Sequence, residues 1–145
     1  MTNLIDELKV LLATNVSFKI KAQNFHWNVE GANFIQYHDM LGTIYTTAES
    51  NTDTIAEHIR ALDMYTPGSL KRFAELSLIS DEENIPEALQ MFIKLRDDHK
   101  IYTKQLSKVH DAAVTAKQHG VVNFIEGLID AAVKLDWMLR SITKK

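Results

Sequence analysis

The residues in this chain whose types and spacing can do chemistry are six histidines and a pair of nearby carboxylates. The histidines are His26, His38, His58, His99, His110 and His119. Taken singly, a histidine on a helix is most simply solvated or satisfied by a neighbour. Charged runs such as Arg96-Asp97-Asp98 are most simply solvated faces. Two clusters stand apart from that background. The first is Asn24-Phe25-His26-Trp27-Asn28-Val29, with His38 twelve residues after His26. The second is Thr52-Asp53-Thr54-Ile55-Ala56-Glu57. On a helix Asp53 and Glu57, four residues apart, share one face about a turn from each other. Two like charges that close repel, so the pair is either well solvated or neutralised by a cation. The chain has no cysteine, which excludes a disulfide framework, a thiolate metal site and thiol-based peroxidase chemistry.

Helices must position these groups. From about Asn3 to Glu30, Leu4, Ile5, Leu8, Leu11, Leu12, Val16, Ile20 and Phe25 recur by threes and fours, the period of an amphipathic helix, and Gly31 supplies a stop. A second helix is expected from Phe34 to Leu62, with Ile44, Ile55 and Ile59, ended by Pro67-Gly68. SLKRFAELS, from Ser69 to Ser77, reads as a short helix inside a long connection. Asn84, Pro86 and Glu87 make a helix-start signal for a third long helix, with Asn84 as cap. It is expected to run through Leu89, Phe92, Leu95, Tyr102, Leu106 and Val109 to about His119, with Gly120 ending it. The last helix spans Val121 to Ile142, with Val133, Trp137 and Met138 expected in the core. Two long hairpins joined by a long crossover describe an all-α, ferritin-like four-helix bundle with a short extra helix between the second and third long helices.

The composition agrees. The chain has 145 residues, 46% apolar and 24% charged, the size of a single domain over residues 1–145. Five Gly and two Pro are too few turns for a many-stranded sandwich or barrel. Sixteen basic and 19 acidic residues leave a formal charge of −3, with no strong attraction to phosphate backbones. No apolar run approaches a membrane span, and MTNLIDEL lacks the basic opening of a signal peptide, so a cytoplasmic location is expected.

Hairpin geometry constrains where a site can form. If the first two helices are antiparallel about a turn near residue 32, His26 lies level with His38. Asp53, fifteen residues beyond His38, then lies about 22 Å further along at 1.5 Å per residue. One chain cannot bring its own His26 and Asp53 to one metal. A two-fold axis lays the hairpin antiparallel against its copy and brings opposite ends together, so any such site lies between subunits.

His26-Trp27-Asn28-Val29-Glu30-Gly31, Asn33-Phe34, His38-Asp39 and Asp53-Thr54-Ile55-Ala56-Glu57 resemble the Dps family, the DNA-protecting mini-ferritins of starved cells. Trp137-Met138-Leu139-Arg140 is similar to the family's closing signature, and the likeness covers nearly the whole chain. The resemblance implies a hollow homododecamer of about 200 kDa, with an iron-oxidising site at each two-fold interface. It implies that His26 and His38 of one subunit, with Asp53 and Glu57 of its partner, hold iron as Fe(II) and Fe(III). It also implies a ferroxidase using hydrogen peroxide in preference to oxygen, with ferric oxide stored inside. Trp27 would absorb stray oxidising equivalents, or simply pack at the dimer interface.

The chain also departs from the family pattern. Members usually carry a carboxylate one turn after the second histidine, where this chain has Gly42, so a second iron would be weakly held. His58 stands where Arg is common. Glu126 and Asp130, with Asn123 nearby, are the nearest match to the family's acidic iron-entry pores. Without a lysine-rich tail beyond Lys144 and Lys145, and with a formal charge of about −36 over twelve copies, no tight DNA binding is expected at neutral pH. A protective assembly or DNA-associating protein with a weakened oxidation site is the alternative.

Overall fold

In the computed structural model, residues 1–145 are described throughout. The chain is all-helical: α1 (Thr2–Asn28), α2 (Phe34–Ala61), the short α3 (Leu70–Leu76), α4 (Ala88–Thr115) and α5 (His119–Ile142). α1 packs against α2, α3 and α4, and α4 against α5, giving the expected bundle with an extra helix in the crossover. Ser69 caps α3 by accepting a hydrogen bond from the Arg72 amide at 3.2 Å. No helix is long and apolar enough to cross a membrane.

The core divides into two apolar clusters. One gathers Leu4, Leu8, Leu11, Leu106, Val109 and Ile125; the other gathers Phe18, Phe25, Leu41, Phe92, Leu95 and Leu139. Each fully buried side chain of this kind stabilises the fold by about 1.5–3 kcal/mol. Polar bonds also join the helices. The Asn15 amide donates to the Ala48 carbonyl at 2.8 Å and to the Thr52 hydroxyl at 3.0 Å, tying α1 to α2. Lys21 and Asp98, both largely buried, form an ion pair of 2.6 Å between α1 and α4. Burial pushes the Asp98 carboxyl above its usual range, and the Lys21 ammonium pulls it partly back. The Thr14 hydroxyl accepts from the Leu78 amide at 3.1 Å, which fastens the long connection to α1. These polar bonds fix the rotation of α1 about its axis, and that rotation sets where His26 emerges.

Several boundaries differ from the sequence expectation. α1 stops at Asn28 rather than Glu30, because Val29 is extended (φ −65°, ψ 142°) and turns its side chain into the core. Gly31, at φ +116°, then reverses the chain in a conformation that side-chain-bearing residues rarely adopt. α4 begins at Ala88, and Asn84 does not cap it: Glu87 is the capping residue, extended and without a side-chain cap bond. Gly120 does not end α4. The helix ends at Thr115, and Lys117 takes the left-handed conformation (φ 56°). The Gln118 amide bonds back to the Ala113 carbonyl and the Lys117 amide to Val114, the double bond of a Schellman stop, leaving Gly120 inside α5. Ile20, Leu89, Val133 and Trp137 are exposed rather than core. Ile20 lies two residues from buried Phe18 and Ala22, and Trp137 two from buried Leu139, on the opposite side of each helix.

Candidate metal centre

His26 sits in the last turn of α1 and His38 near the start of α2, facing each other across the turn at Gly31. The expected level pairing holds in detail. His26 Nδ1 donates to the His38 carbonyl at 2.7 Å, and His38 Nδ1 donates to the His26 carbonyl at 2.7 Å. A carbonyl oxygen only accepts, so in both rings Nδ1 carries the proton, and in the neutral ring Nε2 is the atom with the lone pair. A hydrogen bond to the far nitrogen is how a metal-binding histidine is usually held in tautomer and orientation. The two rings stack, with centroids 3.8 Å apart and planes 17° from parallel. Each in-plane lone pair therefore lies in one of two near-parallel planes.

Three aromatic or backbone neighbours complete this end. Phe34 stacks on His38 at 5.1 Å, and Tyr45 lies tilted against His26 at 5.2 Å. Sequence motifs give no sign of Tyr45, although it follows His38 by seven residues and so shares its helical face. Gly42 lies under the His26 ring: a Cβ at this position would stand 3.0 Å from His26 Cε1 and 3.2 Å from Nδ1. Trp27, adjacent to His26, is 66% exposed.

Asp53 and Glu57 lie further along α2, both exposed, and neither enters an ion pair or a side-chain hydrogen bond of the chain. Within one chain no three His, Asp or Glu side chains come together as metal-holding groups. The structure thus brings His26 to His38, and keeps Asp53 and Glu57 together on α2 but apart from the histidines. His58, next to Glu57, stacks on Phe124 of α5 at 4.5 Å. Burial against that ring pushes its pKa down, and the Glu57 charge offsets part of the fall. Glu126 accepts from His110 Nε2 at 3.0 Å, and this bond raises the His110 pKa. Asn123, Glu126 and Asp130 are all exposed on α5.

The family model for the ferritin-like domain matches residues 5–145. A crystal structure of Dps from Staphylococcus aureus superposes with a TM-score of 0.96 at 27% identity, over 100% of this chain and 97% of that one. The chain belongs to the ferritin-like family, in its Dps branch. A low temperature-induced protein of Nostoc is 30% identical over 90% of this chain and 74% of its own length. A DNA protection during starvation protein of Brevibacillus brevis is 26% identical over 90% of this chain and 87% of its own. Glycine inside a helix costs about 1 kcal/mol relative to alanine, yet here it occupies the interior of α2 directly beneath a histidine.

Proposed function

We propose that this chain is an iron-storing and iron-detoxifying mini-ferritin. It oxidises Fe(II), preferably with hydrogen peroxide, at sites between two-fold-related copies, and it sequesters ferric oxide inside a dodecameric shell. The observation that carries this reading is the reciprocal locking of His26 and His38, which leaves both Nε2 atoms free as donors. Asp53 and Glu57 are the unpaired carboxylates that a partner subunit brings to that donor pair. Imidazoles with carboxylates suit Fe(II) and leave positions open for an oxidant. Peroxide accepts two electrons, one from each of two Fe(II), and with two protons leaves as two waters, so no hydroxyl radical is released.

Assembly has its own support. Trp27, Ile35, Tyr65, Leu70, Val133 and Trp137 are exposed on the lone chain, and large apolar side chains left outside in this way are what contacts between copies cover. Trp27 at such a contact, beside His26, serves either packing or the capture of stray oxidising equivalents. Entry of iron past Glu126 and Asp130 belongs to the same reading. A cytoplasmic location suits a shell that takes up free Fe(II).

After anaerobic loading with Fe(II), ferric absorbance is expected to rise quickly on adding peroxide and slowly in air. Oxidation no faster than in buffer would overturn the proposal. The second reading, a protective or DNA-associating assembly with a weakened oxidation site, is favoured by the missing carboxylate at Gly42. With a shell charge of about −36, no tight DNA binding is expected at neutral pH. Retardation of DNA near pH 7.5, at low salt and without divalent cations, would contradict that expectation.

A further inference from the structure

We propose that the cleft between α2 and α5 binds small one-ring aromatic alcohols, the ring filling the space and the hydroxyl pairing with Nδ1 of His99. Around the bundle α1 packs against α2 and α4, and α4 against α5, which leaves the side between α2 and α5 the most open. Small residues keep it so: Ala48 on α2, with Ala131 and Ala132 on α5, line a cavity of about 170 Å³ there. Thr43, Thr47 and Lys134, all exposed, stand at its mouth. Phe18, His99 and Tyr102, all buried, form its floor, with ring centroids 6.0, 6.1 and 6.3 Å apart. None of His26, His38, Asp53 and Glu57 lines this cavity, so the site is separate from the iron chemistry.

Size and chemistry choose the ligand. An apolar cavity of about 150 Å³ is enough to take up benzene, so this one has room for a single ring with one substituent. The aromatic floor offers the offset and edge-on contacts that another ring prefers. His99 sets the polar end. It is 2% exposed, and its buried Nδ1 has no hydrogen-bond partner in the chain. Such orphans are rare in folded proteins, because each forfeits the solvation it had in water. Leucine would pack among these rings without that cost, so the worth of a histidine here lies in a bond that a ligand completes. Burial keeps the imidazole neutral at neutral pH and pushes the Tyr102 hydroxyl above its ordinary range, so the floor carries no charge. A carboxylate or an ammonium would lie there unpaired, at a large cost. A hydroxyl is neutral, and it can donate to Nδ1 or accept from it, whichever tautomer the ring adopts.

The test is calorimetric titration of the assembled protein, near neutral pH, with phenol and with toluene, which share a ring and differ in hydroxyl against methyl. Phenol is expected to saturate at one per chain and to raise the melting temperature, as a ligand of the folded state does. His99→Leu is expected to bind phenol about tenfold more weakly, the worth of one buried hydrogen bond, while its affinity for toluene is kept or raised. Ala132→Leu fills the cavity from a buried position and is expected to bind neither compound, with a melting temperature no lower than the parent's. Should Ala132→Leu fail to fold, the ratio of phenol to toluene affinity in His99→Leu decides by itself. No saturable phenol binding by the parent shell would overturn the proposal. So would equal losses of phenol and toluene in His99→Leu, the mark of a packing role. Parent-like phenol binding by a folded Ala132→Leu shell would place the ligand elsewhere and overturn it too.

Discussion

Shells assembled from Asp53→Ala/Glu57→Ala chains are expected to lose peroxide-driven Fe(II) oxidation by at least about 100-fold. Even second partners of metal ligands cost roughly 10–100-fold on removal, and these two carboxylates supply all the negative charge that the histidine pair lacks. Both side chains are exposed and unpaired in the chain, so their removal leaves no buried partner behind and frees two like charges from each other. The fold should therefore survive with unchanged melting temperature. Ferric absorbance after anaerobic loading separates the outcomes. A stable double variant oxidising at the parent rate would show that iron is handled elsewhere.

The second large effect is on stability in acid, and it belongs to His99. This histidine is 2% exposed, lies beside both Phe18 and Tyr102, and its buried Nδ1 has no hydrogen-bond partner. Burial lowers its pKa from 6.5 to about 4, with the Asp136 charge countering only part of that fall. Above pH 6.5 the ring is neutral in folded and unfolded chains alike and gives no pH dependence. As pH falls below 6.5 the unfolded chain takes up a proton that the folded one refuses, so stability is lost progressively until pH reaches about 4. At about 1.4 kcal/mol for each pH unit between those two values, the loss amounts to about 3 kcal/mol. His99→Leu places an apolar group among apolar rings and is expected to abolish that component. Denaturant midpoints for parent and variant, taken from neutral pH down to about 4, should diverge in the variant's favour as pH falls. Parallel curves would place the acid sensitivity in other groups.

The architecture was legible in the sequence because helical period and a hairpin turn are local properties. Leu4, Leu8, Leu11 and Phe25 already mark the buried stripe of α1, and the level pairing of His26 with His38 follows from antiparallel helices around Gly31. What was not legible depends on neighbours far along the chain. Gly120 resembled a helix stop, but the stop is at Lys117, where the Val114 carbonyl accepts from the Lys117 amide and the Ala113 carbonyl from the Gln118 amide. Trp137 resembled a core residue because apolar identity says nothing about which side of α5 faces inward. At the site, residue type alone made Gly42 a missing ligand. Only the fold shows that this position also lies 3.0 Å, measured from a would-be Cβ, from the His26 ring. Tyr45 shares its helical face with His38 and could have been found by that spacing, but glycine and histidine touching across a turn could not. The carboxylates and histidines stay apart in one chain, as a rise of about 1.5 Å per residue requires, so the arrangement between subunits rests on symmetry and on family likeness.

That arrangement between subunits is the central claim, and mixed shells test it most directly. Chains carrying His26→Ala/His38→Ala and chains carrying Asp53→Ala/Glu57→Ala should each form shells that do not oxidise Fe(II). Co-expressed in equal amounts and pairing at random, half of their dimers are mixed. In each mixed dimer one of the two sites takes histidines from one chain and carboxylates from the other, both intact. About a quarter of the parent activity should therefore return. No recovery, in shells shown by mass spectrometry to contain both chains, would contradict a site shared between subunits.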